Sequence, residues 1–230
     1  MPVVAGFCPS GRCYARPVSR PVRIEIVSDP VCPWCYIGGR RLARALAGRP
    51  DVVADVHWLP FQLSPDLPRE GRDRREHYAA IFGAERAAQI LAGMAERGRD
   101  DGIAFQLKPG ARSPHTLSAQ VLLYWAGRTP GVDQGAVAEA LFKAHHEDCD
   151  DIGDPAVLAR VAAAHGMDGE RVRADLAAGR DEAVVQAQIE ELRQLGVGGV
   201  PFFIFDRRLA VSGAQPPEAF LEVLDQLAAG

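Results

Sequence analysis

Lysine is nearly missing from these 230 residues: Lys108 and Lys143 are the only two, and arginine supplies the remaining basic charge. The bias reads as compositional, and with a formal net charge of −4 it gives no support to a nucleic-acid partner. Long apolar runs are also lacking. None approaches the roughly 20 residues of a membrane-spanning helix, so no membrane association is expected. The first 20 residues carry no apolar stretch of the kind a secretory signal needs, which makes the cytoplasm the expected compartment. Cysteine is scarce and odd in number, five in all, which argues against a framework of structural disulfides. In a reducing compartment a close cysteine pair is read as catalytic or metal-binding. Zinc would require a second pair of matching spacing, and Cys8 and Cys13, in a Pro/Gly/Ser/Arg-rich stretch, do not supply one. No metal is expected. What is present, 47% hydrophobic and 24% charged residues, is enough for a substantial globular core.

The chain divides by pattern. Residues 1–20 contain Pro2, Gly6, Pro9, Gly11 and Pro17 without periodicity and read as a disordered extension. Residues 21–63 hold a partly alternating strand (22–27), a helix from Cys32 to about Leu46, and a second strand (51–59). A strand–helix–strand unit of this length is a right-handed crossover between parallel strands. Residues 64–181 are dominated by helical periods, with predicted helices at 73–98, 114–127, 132–147, 154–165 and 169–178 and an extended piece at 103–107. Asp154-Pro155 is a helix start and Gly166 and Gly179 are stops. Residues 182–230 return to helix, strand, turn, strand and helix. The reading is an α/β protein: a thioredoxin fold split by a large all-helical insertion.

Cys32-Pro33-Trp34-Cys35 carries the chemistry. The motif follows a strand and opens a helix, the context expected of a redox Cys-X-X-Cys. A thiol at a helix N-terminus meets unsatisfied N–H groups and the positive end of the dipole, which favour a thiolate. Pro33 suits the first helical position. Cys32 is expected to be the exposed nucleophile and Cys35, one turn in, the buried resolving thiol. The second motif, Gly196-Val197-Gly198-Gly199-Val200-Pro201-Phe202, reads as a cis-proline loop beside the sulfurs, with Val200 backbone groups offered to an extended polypeptide. Pro33, Trp34, Val200 and Pro201 are the expected substrate-binding residues. A buried acid beside the resolving cysteine would take its proton; Glu25, on the strand, is the candidate, and Asp29 reads as a loop or capping residue. His145, His146 and Cys149 (HHEDC) read as a solvated helix end. Tyr124 and Trp125 read as helix core.

Taken in order, SDPVCPWCYIG, RSPHTLSAQVL, LFKAHHEDCDDIGDPAVL and GVGGVPFFIF…VSGAQPPEAF resemble the DsbA-like thioredoxin-fold oxidoreductases, in their cytoplasmic FrnE-type subgroup, over about residues 22–227. The resemblance implies a thiol–disulfide oxidoreductase in which Cys32 attacks, Cys35 resolves and Pro201 is the cis proline. It implies no cofactor beyond the redox-active pair, and protein or small-molecule thiols and disulfides as partners of a monomer or homodimer. Two departures stand out: Pro114-His115-Thr116 and Ala119-Gln120 replace Pro-Asn-Thr and Ala-His, and Cys149 stands where glycine is usual. The 2-hydroxychromene-2-carboxylate isomerases and kappa-class glutathione transferases are similar in fold. They make a glutathione-dependent isomerase or transferase the alternative, with glutathione as co-substrate, although those enzymes typically replace the cysteine pair that is retained here.

Overall fold

The computed structural model describes residues 20–229. The expectation of a disordered extension over 1–20 and the positions of Cys8 and Cys13 therefore fall, Arg20 apart, outside the described residues.

Strand β1 (Val22–Ser28) is followed by α1 (Pro33–Ala47) and β2 (Ala54–Pro60), and β1 and β2 pair in parallel, Ile24 opposite Val56. Near the end of the chain come α8 (Glu182–Gln194), β5 (Phe202–Phe205), β6 (Leu209–Ser212) and α9 (Pro217–Ala229). β5 runs antiparallel to β1 and to β6, giving a four-stranded sheet of order β2-β1-β5-β6. This is the thioredoxin fold.

Alternation along β1 divides its side chains between two cores, because successive strand residues face opposite sides. Ile24 and Ile26 pack with Leu42 and Ala45 of α1, Phe203 and Phe205 of β5, and Phe220 and Leu224 of α9. Val27 faces the other way, onto Phe61, Val197 and Leu192 of α8. Phe203, Phe205 and Phe220 are fully buried, and each contributes roughly 1.5–3 kcal/mol by leaving water.

Between β2 and α8 the chain builds helices around α4 (Leu117–Ala126), which is buried on nearly every side. The others are α2 (Arg74–Phe82), α3 (Ala84–Arg99), α5 (Gln134–Lys143), α6 (Pro155–Ala164) and α7 (Gly169–Ala177). A two-residue ladder, β3 (Arg72–Asp73) with β4 (Arg112–Ser113), closes the segment that carries α2 and α3. The start of α1 belongs to this helical core: Cys32, Cys35, Tyr36 and Ile37 cluster with Leu122 and Phe142. Tyr36 stacks on Phe142 at 5.1 Å between ring centroids.

Several expected elements change shape. The helix expected over 73–98 is two, broken at Gly83, whose φ of 80° is open to glycine and strained for other residues. Asp73 caps the first, accepting hydrogen bonds from the Arg75 and Glu76 amides. The helix expected over 132–147 ends at Lys143 and continues as one π-helical turn, Ala144–Asp148, stopped by Cys149 in the left-handed region at φ 62°. Residues 103–107 pair with no strand, and the Gln106 amide ties the segment to the His146 carbonyl at 2.8 Å.

Candidate active site

Cys32 is the N-cap of α1 and Pro33 its first residue. No side chain caps this helix and no acid lies in its first turn, so the positive end of the dipole is left to Cys32. Cys32, expected to be exposed, is itself buried at 4% exposure, because the α2–α3 segment and the Val200–Pro201 loop pack over it. It nevertheless lines a groove of about 480 Å³, whereas Cys35, one turn in, is 0% exposed. Both cysteines are free thiols. Burial, reinforced by the adjacent Cys32 sulfur, pushes the Cys35 thiol well above its ordinary pKa, with Ser28 Oγ and the Asp29 backbone pulling the other way. Ser28 Oγ is itself buried and finds no other hydrogen-bond partner among the described residues.

The Val200–Pro201 loop lies against this helix start. Its peptide bond is cis, and Cys32 Sγ is 3.7 Å from the Val200 carbonyl oxygen. The loop and α1 meet at Gly38, where an added Cβ would come within 3.0 Å of Phe203 Cζ and 3.2 Å of Pro201 Cγ. Pro33 and Trp34 line the groove beside Cys32, and Trp34 is 43% exposed. Leu63, Ile81 and Phe82 add exposed apolar surface to the same groove. The structure thus brings Cys32, Cys35, Pro33, Trp34, Val200 and Pro201 to one place.

Glu25 is not brought there. It stands on β1 three residues before Ser28, roughly 10 Å back at 3.3 Å per residue. Its carboxylate takes Arg23 at 2.9 Å, with Arg207 at 3.6 Å. A strand acid that pairs with two arginines has no need of the thiols. The acid at the site is Asp29, 0% exposed and part of the groove lining. Its carboxylate accepts from the Leu63 amide at 2.8 Å and the Val31 amide at 3.3 Å, and Thr116 adds a side-chain hydrogen bond. Burial outweighs these hydrogen bonds and pushes its pKa up to about 6.

The HHEDC segment is not a solvated helix end. The π-helical turn rotates both histidines inward, and His145 and His146 are buried. His146 Nε2 is 3.1 Å from the Pro30 carbonyl, in the loop just before Cys32. Burial, with the nearby Arg74 charge, lowers the His146 pKa to about 3 and holds His145 well below the usual histidine range. Both imidazoles are neutral. Gln120 also ties the insertion to the site: its buried Nε2 donates to the carbonyls of Ser28 (2.9 Å) and Phe61 (2.7 Å). Cys149 Sγ lies 3.5 Å from the Gln106 carbonyl, and Trp125 Nε1 donates to Asp181 at 2.8 Å. Among the described residues no group of three or more His, Cys, Asp or Glu side chains could hold a metal ion, and no helix is long and apolar enough to cross a membrane.

Comparison with known proteins agrees with the fold. Residues 23–225 match the model of the DSBA-like thioredoxin domain. A probable DsbA oxidoreductase of Streptomyces coelicolor is similar at a TM-score of 0.80 and 32% identity, over 89% of each chain. The cytosolic disulfide reductase DsbM of Pseudomonas aeruginosa, solved with GSH, shares the fold at a TM-score of 0.56 and 18% identity, over 90% of this chain and 100% of that one. An uncharacterised Bacillus subtilis protein, YwbO, is 26% identical over 201 residues, 86% of this chain and 94% of its own length. With its thioredoxin sheet, its cysteine pair at the start of α1 and a family match across nearly its whole length, the chain belongs to the DSBA-like thioredoxin domain family.

Proposed function

We propose that the protein is a thiol–disulfide oxidoreductase that exchanges disulfides with its substrates through Cys32 and resolves the mixed disulfide with Cys35. The observation that carries this reading is the unequal placement of two sulfurs on one helical turn: Cys32 opens on the groove, and Cys35 is sealed behind it. Substrate sulfur can reach the first and not the second.

In the reductive direction the Cys32 thiolate attacks one sulfur of a substrate disulfide. A Cys32–substrate S–S bond forms, the substrate S–S bond breaks, and the departing thiolate takes a proton. Cys35 then gives up its proton and attacks Cys32 Sγ. The Cys32–Cys35 disulfide forms and the second substrate thiol is released, two electrons having passed from the enzyme dithiol to the substrate. The reverse sequence oxidises a substrate dithiol. Asp29, in place of Glu25, is the proton acceptor of this scheme: it is the acid that lines the groove with Cys32, and a carboxylate titrating at about 6 is mostly ionised at neutral pH.

Substrate recognition rests on two surfaces. The Val200 N–H makes no backbone hydrogen bond among the described residues, and its carbonyl already faces Cys32, which suits an extended peptide laid along the loop. Trp34, Leu63, Ile81 and Phe82 supply the apolar wall. The test is reduction of insulin disulfides with dithiothreitol as the terminal reductant. Cys32→Ser is expected to remove the catalysed rate, and undiminished turnover in that variant would sink the mechanism.

A further inference from the structure

Arg74 is buried, 4% exposed, and among the described residues it carries its charge into the insertion without an ion pair to a carboxylate. Nε donates to the Arg112 carbonyl at 3.1 Å, and Nη2 lies 3.1 Å from both His145 Nδ1 and the His145 carbonyl. Because Nδ1 accepts from the guanidinium, the imidazole is neutral and offsets none of the charge. The nearest acids are engaged elsewhere: Asp73 caps α2, and Asp151 pairs with Arg112 at 3.3 Å. Nη1, with two N–H groups, has no hydrogen-bond partner among the described residues. Burying an ion without a directly paired counter-ion is costly, and burial pushes the guanidinium below its ordinary pKa although Asp151 and Asp73 pull it upward from a distance. Such a group is stabilised when an anion arrives.

There is room for one. Arg74 lines a cavity of about 170 Å³ that shares Pro33, Tyr78, Met94 and His145 with the groove in which Cys32 lies. The groove itself is lined by Arg86 and Arg97, while its one acid, Asp29, is held by backbone amides. The space suits a carboxylate with a few methylene groups, not a folded chain. Resting on the thiol–disulfide reading above, we propose that Arg74 is a carboxylate-binding site that selects low-molecular-weight disulfides and thiols carrying a carboxylate a few bonds from sulfur. The acid docks on the free Nη1 through a charge-assisted hydrogen bond. Its sulfur then reaches Cys32 past Pro33.

The test compares dithiodipropionate with its dimethyl ester, which differ in the carboxylates alone, by kcat/KM with dithiothreitol as terminal reductant. Wild-type protein is expected to prefer the acid. Arg74→Met is expected to lower kcat/KM for the acid by about tenfold to a hundredfold, the range for losing a hydrogen-bonded charge, with the ester and insulin within about twofold of wild type and Arg74→Lys in between. Equal Cys32-dependent reduction of acid and ester by wild-type protein overturns the site and leaves the redox reading standing, whether or not the variants fold. A loss in Arg74→Met that is equal for acid, ester and insulin also overturns it, since that is the mark of a structural arginine. Reduction that survives Cys32→Ser overturns the redox reading and the site with it.

Discussion

Asp29→Asn is expected to change how stability depends on pH, and by a calculable amount. Asp29 is fully buried and its carboxyl titrates at about 6 in the folded chain, against 3.8 for an ordinary aspartate. Below pH 3.8 the group is protonated in both states and makes no difference. Between the two values the folded chain holds a proton that the unfolded chain has released, so stability falls as pH rises and the loss is complete above about 6. About two pKa units at 1.36 kcal/mol each make that loss roughly 3 kcal/mol. Asparagine removes the ionisation, but it replaces one of the two accepting oxygens with a donor NH2 group, so one of the two backbone N–H groups loses its acceptor. The longer bond, from Val31 at 3.3 Å, is the one expected to go, which offsets about 1–3 kcal/mol at every pH. The difference profile is therefore the decisive quantity: relative to wild type, Asp29→Asn should gain about 3 kcal/mol between pH 4 and pH 8. Urea unfolding of both proteins across that range, with thiols kept reduced, measures it. The buried His145 and His146 contribute acid sensitivity of their own, but equally in both proteins, so they cancel. Parallel profiles, or a difference with its midpoint near 4, would refute the buried-acid reasoning.

Two further substitutions probe how the site is held. Gly38→Ala places a methyl 3.0 Å from Phe203 Cζ and 3.2 Å from Pro201 Cγ. Overpacking there should destabilise by about 1–3 kcal/mol, and displacement of the proline loop should slow insulin reduction more than Gly39→Ala does, since the Gly39 position faces only the Trp58 ring. Gln120→Leu leaves the Phe61 carbonyl without its side-chain donor, whereas the Ser28 carbonyl keeps the Phe61 amide at 3.0 Å. A loss of about 1–3 kcal/mol in urea unfolding is expected, and an unchanged midpoint would show that Gln120 does not tie the insertion to the sheet.

The features legible in the sequence were those written in local chemistry. Cys32-Pro33-Trp34-Cys35 announces a helix start through its proline and its position after an apolar strand, and the glycines before Pro201 announce a loop. The crossover from β1 to β2 followed from alternation on either side of a helical period. The less legible features are polar groups whose roles depend on distant segments. Asp29 becomes a buried acid only because Leu63 donates to it and Thr116 of the insertion packs against it. Glu25 is the better placed acid by its position on the strand, and although Arg23 two residues before it shares its face, the approach of Arg207 from the β5–β6 turn cannot be seen from spacing alone. His145 and His146 are turned inward by a π-helical turn that no periodicity marks. The turn ends on Cys149, a non-glycine residue held at positive φ, which the sequence does not mark as a stop.

The central claim is that substrate sulfur bonds to Cys32 and that Cys35 releases it. Reduced Cys35→Ser, mixed with a peptide disulfide and quenched in acid, should trap one substrate thiol per chain, and digestion and mass analysis should place it on Cys32. The reduced wild-type protein, treated the same way, should instead be found as the Cys32–Cys35 disulfide with the peptide thiol released. An adduct on Cys149, or none at all, would contradict the account.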